Sequence, residues 1–392
     1  MPVLNGDIMK WARETAGFSM EEAAAKLKLN GNRSCTGEQK LAAFESGDNG
    51  VSSAVLEKMS KVYRRPLLVF YLAAPAAVAS RGTDFRTRPG NVGLSDNPNL
   101  DALVRNVIIR QSLLRSALED DETAPLPFVG SMNEVNDAPK LAAEIKDKLA
   151  FELQDFRAQK DISAAFHYLR QKIEQLGVFV LLNGDLGSHH TKVEPTDFSG
   201  FAIADNIAPV IVINAYDAKS ARSFTALHEL AHIFLGSTGL SSYESDNNIE
   251  KFCNKAAGAI LLPTQDLHVF DGTAPDTLLD QVETAARDWN LSNSMVAYCL
   301  YLHNRIDRQT WQELAREFKA RWDATNSRQH RPGGPQYLVL TRSRLGNGLM
   351  AAVRQQLRLG NLTRVKAGQI LAVKPTMVDS LLSDLNPHMA ER

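Results

Sequence analysis

The residues with the clearest chemistry lie in Phe224-Thr-Ala-Leu-His228-Glu229-Leu-Ala-His232-Ile-Phe-Leu-Gly236. On a helix, positions four apart share a face, so the imidazoles of His228 and His232 can reach one metal ion. Glu229 is turned by about 100° from His228, and its carboxylate can approach a water on that ion without binding the ion itself. A catalytic zinc takes three protein ligands and keeps one position open. The third candidate is Glu250, 18 positions after His232, in Ile249-Glu250-Lys-Phe-Cys-Asn254. That stretch reads as a second helix ending near Pro263. Asn254 follows Glu250 by one turn, and its carbonyl could accept from the free ring N–H of a ligating histidine and so fix its tautomer. The plainer alternatives are an amphipathic helix with two surface histidines and a solvated helix-start glutamate. Glu250 and Asn254 on a following helix favour the metal site.

Such a pair of helices needs a scaffold. Gly177–Leu182, Ser199–Ala204 and Pro209–Ile213 are short, apolar and bounded by turn residues, which predicts strands. Helices are predicted over Leu141–Phe156 and Ile162–Leu176, ahead of the strands. Leu100–Glu119 carries helical apolar spacing at Leu103, Val107, Leu114 and Leu118. A small sheet among many helices is an α+β arrangement, mainly α. Gly236 is the expected stop of the histidine helix.

The 392 residues exceed one ordinary core, so two to three domains are expected. No apolar run is long enough for a membrane span, and the N-terminus lacks the pattern of a secretory signal. Cys35, Cys253 and Cys299 are odd in number and widely spaced, which argues against a disulfide framework and fits a reducing cytoplasm. Cys253 and Cys299 sit in apolar helices and read as buried thiols. The net charge of −1 gives no global electrostatic case for nucleic acid.

Four blocks in order and spacing resemble the peptidase domain of the ImmA/IrrE family: Phe198-Ser-Gly-Phe201, Pro209-Val-Ile-Val-Ile-Asn214, Phe224–His232, and Glu250-Lys-Phe-Cys-Asn254 with Leu261-Leu-Pro263. The resemblance implies a gluzincin-like core and Zn2+, with ligands His228, His232 and Glu250 and Glu229 as general base. Members of that family cleave transcriptional repressors or antirepressor-like partners. In the implied chemistry, zinc activates water and polarises the scissile carbonyl while Glu229 shuttles the proton to the leaving amine. No oxyanion donor is assigned; Tyr243 and His268 read as surface or packing residues, and His189-His190 as a solvated loop.

The first 72 residues read as short helices: Asn5–Thr15, Met20–Leu27 behind a Ser19/Glu22 capping box, Thr36–Glu45, Val51–Tyr63, and a fifth opened by Pro66. They resemble a Cro/repressor-type helix-turn-helix bundle, in Leu27-Lys-Leu, Phe44-Glu-Ser-Gly47 and Leu56–Tyr63. That resemblance implies that Thr36, Glu38, Gln39 and Lys40 start a recognition helix facing the major groove. Ten basic and eight acidic residues give this region a net of only +2, and Asn30–Ser34 lengthens the turn. A module for protein contact or dimerisation is the alternative.

The expected division is therefore a helix-turn-helix domain at 1–73, a linker and long helix at 74–138, and a zinc metallopeptidase domain at 139–265. A helical, helix-turn-helix-like region at 266–330 and a C-terminal helical region at 331–392 follow, the latter holding two helical segments around Gly360-Asn-Leu-Thr363. The functional expectation is a cytoplasmic regulatory zinc endopeptidase that cleaves a repressor or antitoxin-like protein. Operator DNA and a homodimer are further expected partners, and no membrane is. The rival is a non-proteolytic transcription regulator, or antitoxin, of a toxin–antitoxin or prophage locus, with a structural or sensory zinc domain.

Overall fold

The structure is a computed structural model of the chain. It describes residues 4–31, 35–48, 50–72, 74, 97–133, 137–241, 248–326 and 337–383. These fall into two compact units, one within Met1–Arg86, Gly90–Asn106 and Asp185–Val193, the other within Val107–Gly184 and Glu194–Arg392.

In the first unit, α1 (Gly6–Thr15), α2 (Met20–Leu27), α3 (Gly37–Glu45) and α4 (Ser53–Val62) are each opened by a polar N-cap: Asn5, Ser19, Thr36 and Ser52. Each such cap satisfies an amide left over at a helix start and stabilises by about 1 kcal/mol. The Ser19/Glu22 capping box forms as expected. The expected fifth helix is a 3-10 turn, Leu67–Tyr71, after Pro66. Ile8, Leu27, Leu41, Met59 and Phe70 form the core. Arg13 and Glu45 are buried between α1 and α3, with Nε and Nη2 donating to the two carboxylate oxygens at 2.7 and 2.9 Å.

Helix α5 (Pro98–Asp120) is followed by α6 (Ala138–Leu149), α7 (Leu153–Arg157) and α8 (Ile162–Gln175). The single helix expected over Leu141–Phe156 is broken, because Ala150 adopts φ +44° and its amide caps α6 on the carbonyls of Lys146 and Asp147. Strands β1 (Phe179–Leu182), β2 (Gly200–Ile203) and β3 (Val210–Ile213) stand where the sequence placed them. A further strand, β4 (Gly239–Ser241), completes a sheet of order β1-β3-β2-β4. β1 runs parallel to β3, which pairs antiparallel with β2, and β4 pairs antiparallel with β2. The sheet lies against α9 (Arg222–Phe234), and α10 (Asn248–Leu261) packs on α9 and α6.

Helices α11 (Pro275–Asp288), α12 (Asn293–Leu302) and α13 (Arg308–Asn326) extend the same core. The C-terminal stretch holds more than the two helical segments expected: α14 (Tyr337–Leu345), α15 (Asn347–Leu359), α16 (Arg364–Ile370) and α17 (Val378–Leu382). Arg170 of α8 ties them to the sheet. Its guanidinium donates to Glu174 at 3.0 Å, to the Ser343 carbonyl at 2.7 Å, and to the carbonyl of Val180 in β1. Gly346, at φ +79°, has to be glycine, since a Cβ there would meet Glu174 Oε1 at 2.1 Å. Among the described residues no helix is long and apolar enough to cross a membrane.

Candidate metal centre

Helix α9 is buried on every side from Ser223 to Phe234, as expected of a helix held between a sheet and other helices. Its sequence therefore places polar residues where only a partner can satisfy them. His228 is 5%, Glu229 0% and His232 3% exposed, and Glu250 of α10 is 8% exposed. His228 Nε2 lies 3.1 Å from Glu250 Oε2 and 3.1 Å from His232 Nε2. His232 Nε2 is 3.3 Å from Glu250 Oε1. The three predicted ligands thus converge on one point, and among the described residues this is the metal-capable group of histidine, cysteine, aspartate or glutamate side chains.

The donor set fits a zinc ion. Donors about 2.0–2.1 Å from a tetrahedral centre stand about 3.3–3.4 Å from one another, close to the three spacings here. Two imidazole nitrogens facing each other and a carboxylate also need a positive centre, either a shared proton or a metal ion. The electrostatics say the same. Burial disfavours charge on Glu250, yet hydrogen bonds from His228 and His232 hold its pKa down at about 2. Burial lowers the pKa of His228. His232 is held well above the usual imidazole range against its burial, by Cys253, Glu250 and Glu229.

The turn after α9 fixes His232. Gly236, at φ +70°, ends the helix as expected, and the chain folds back so that the Ser237 amide donates to the His232 carbonyl at 2.9 Å. Ser237 Oγ then meets His232 Nδ1 at 3.1 Å. With Nε2 turned to the cluster, Nδ1 is the nitrogen left to donate to that hydroxyl. The sequence reading missed Ser237, although a residue following a helix-stopping glycine is the place to look for one. It also missed Tyr298 of α12. Asn254, one turn after Glu250, raises the basicity of His228 and donates its amide to Tyr298 Oη at 3.3 Å. Nothing local in the sequence points to a tyrosine 44 positions away. Glu229 lies against β2, where a Cβ on Gly200 would come within 2.8 Å of its Oε1; glycine at 200 makes room for the carboxylate.

Cys253 and Cys299 are buried free thiols, as expected. Burial pushes both up, Cys299 to about 12. Cys253 lies beside His232 but outside the three-donor group. His268 pairs with Asp271 at 2.8 Å on the surface, His189 and His190 lie in a short 3-10 turn, and Tyr243 falls outside the described residues.

With this geometry in place, the family comparison decides the class of the domain. Residues 173–301 match the IrrE N-terminal-like domain, Peptidase M78. The match runs from the end of α8 through α12, so this IrrE-like domain contains the sheet, all three converging side chains, Glu229, Asn254 and Tyr298. No curated protein and no solved structure matches the chain.

Of the four residues predicted to start a recognition helix, Thr36 is the N-cap of α3 and Glu38, Gln39 and Lys40 lie in its first turn. Thr36 and Gln39 close a capping box, with Gln39 N donating to Thr36 Oγ1 at 3.2 Å and Thr36 N donating to Gln39 Oε1 at 2.9 Å. Lys40 Nζ donates to the Asn30 carbonyl at 2.6 Å. Glu38 is exposed in the same turn.

Proposed function

We propose that the chain is a regulatory zinc-dependent endopeptidase, with His228, His232 and Glu250 as the ligands and Glu229 as the general base. The observation that carries this reading is the convergence of three buried donors from α9 and α10, inside a region that matches a peptidase family. Bound zinc would supply Lewis acidity to a water and to the scissile carbonyl. Glu229 would take the water proton on its carboxylate and return it to the leaving amine. Ser237 would hold the His232 ring with its Nε2 inward, and the apolar walls of α9 would exclude bulk water and strengthen these contacts.

The substrate in this reading is a cytoplasmic protein of repressor or antitoxin type. The N-terminal helices would address the enzyme to operator DNA, as a dimer on two half-sites. One observation favours the rival, a non-proteolytic regulator with a sensory zinc domain: Glu229 is 0% exposed and no ligand exceeds 8%, so a substrate would reach the site only after an opening motion.

Elemental analysis of the purified chain tests the metal reading. About one zinc per chain is expected, lost in His228→Ala and Glu250→Ala; a wild type purified without chelator that carries no metal would refute it. Glu229→Gln separates the two functional readings. If it retains zinc but loses its cellular effect, the peptidase stands; if it retains zinc and the effect, the regulator does.

A further inference from the structure

The C-terminal helices carry a charge that the rest of the chain does not. Residues 337–383 hold seven lysines and arginines and one acidic residue, Asp379, a net of +6 in a chain whose total is −1. Arg342 donates to the carbonyls of Ser380 and Leu381 at 2.8 and 3.0 Å. Arg358, Arg364, Lys366 and Lys374 are exposed. Positive charge gathered on one element is the electrostatic footprint of nucleic-acid binding.

The last two helices of this stretch have the build of a helix-turn-helix. α16 opens on Thr363, whose Oγ1 accepts from the Lys366 amide at 3.3 Å, and it ends at Ile370. The chain is helical again from Pro375, in a 3-10 turn that runs directly into α17 and ends at Leu382. The connection between them is tight. Ala372 takes φ +52°, and the Val373 amide donates back to the Gly368 carbonyl at 2.9 Å. A Cβ on Gly368 would meet the Val373 carbonyl oxygen at 2.8 Å, so glycine there lets the turn lie directly on α16. Ala367, Ile370, Leu371, Val378 and Leu381 are 0–1% exposed and form the inner side of the pair. Lys374, Pro375, Thr376, Asp379 and Ser380 form an exposed side of the second helix. Arg364 Nε donates to Asp379 Oδ2 at 2.9 Å and ties the two helices together. Two helices on a short turn, the second with an exposed polar side, is the arrangement that sets a recognition helix in a major groove.

We propose that α16 and the Pro375–Leu382 helix bind double-stranded DNA, as a unit distinct from α1 to α4 and from the helices over 266–330. The second helix enters the major groove, where the hydroxyls of Thr376 and Ser380 bond to base edges and the Pro375 ring packs on a thymine methyl. Lys366 and Lys374 contact phosphates and set the register. No aromatic residue stands between Thr363 and Ser383, so the unit lacks the stacking platform of a single-strand binder. The major groove of duplex RNA is too narrow for such a helix. The proposal rests neither on the peptidase reading nor on the assignment of α3.

The test is fluorescence anisotropy of the full chain with a labelled random-sequence DNA duplex at several salt concentrations. Lys366→Ala and Lys374→Ala should each lower the slope of log affinity against log salt by about 0.9, and the double variant by about 1.8, with Tm unchanged. Lys40→Ala, measured beside them, reports on α3 separately. A slope that falls for Lys40→Ala and keeps its wild-type value in the double variant would overturn the proposal. So would a wild type that binds no duplex at low salt, or that binds a single strand of the same length more tightly. Selection from a random duplex pool tests the base contacts. Replacing Thr376 and Ser380 by alanine should change the enriched sequence; the same sequence from wild type and variant, or none from the wild type, refutes recognition by this helix.

Discussion

Helices α9 and α10 present four polar side chains that are 0–8% exposed, three of which converge on one point. The start of helix α3 presents four that lie at or near the surface, three of them already engaged with their own local surroundings. Both sets come from short motifs of similar length, yet only the first is completed by its own fold. A metal site is an intramolecular condition: two spacings and one following helix bring the donors together, and burial then demands a cation. A nucleic-acid surface is an intermolecular condition, and the folded chain alone carries no complementary half.

The sharpest way to break this contrast is at Glu229. Glu229→Gln keeps the side chain's volume and removes its basicity, so turnover of a peptide library should fall by about 10²–10⁴-fold with zinc content unchanged. Zinc lost along with activity would mean that Glu229 holds the metal site together and is not its base.

The next effect belongs to the first unit. Glu45→Ala leaves Arg13 buried and unpaired, which should cost about 3–5 kcal/mol and be read as accelerated amide exchange across α1 and α3. Replacing both, Arg13→Met with Glu45→Leu, should recover most of that loss. If the single variant exchanges like the wild type, the pair is not what joins these helices.

Much of this was legible in the sequence because periodicity and capping are local. Ser19 with Glu22, the strands at β1 to β3 and the stop at Gly236 each depend on a few neighbouring residues. What stayed hidden depends on distant parts of the chain. β4 is three residues long and exists because β2 offers an edge. The break at Ala150 puts a non-glycine residue in left-handed backbone, a conformation its own sequence does not favour. The hydroxyl of Tyr298 finds Asn254 only through the packing of α12 on α10.

That last contact yields a smaller prediction. Asn254→Ala should weaken zinc binding by about 10–100-fold in competition with a chelator. Tyr298→Phe should do so by less, because it removes the orientation of the amide and leaves the carbonyl. Equal effects would place the tyrosine nearer the metal than its hydrogen bond to Asn254 implies.

The smallest effect tests the other side of the comparison. If α3 meets DNA, its first turn must give up an internal bond to do so: Lys40 would exchange the Asn30 carbonyl for a phosphate. Lys40→Ala should then lower the slope of log affinity against log salt by about 0.9 and weaken all sequences alike. Glu38→Gln removes an exposed like charge and should strengthen binding at low salt. An unchanged slope in a chain that still binds DNA would move the contact off α3. A chain that binds no DNA even at low salt would leave α1 to α4 as a surface for another protein, with the self-contained capping of Thr36 and Gln39 as its resting form and not as the prelude to base contact.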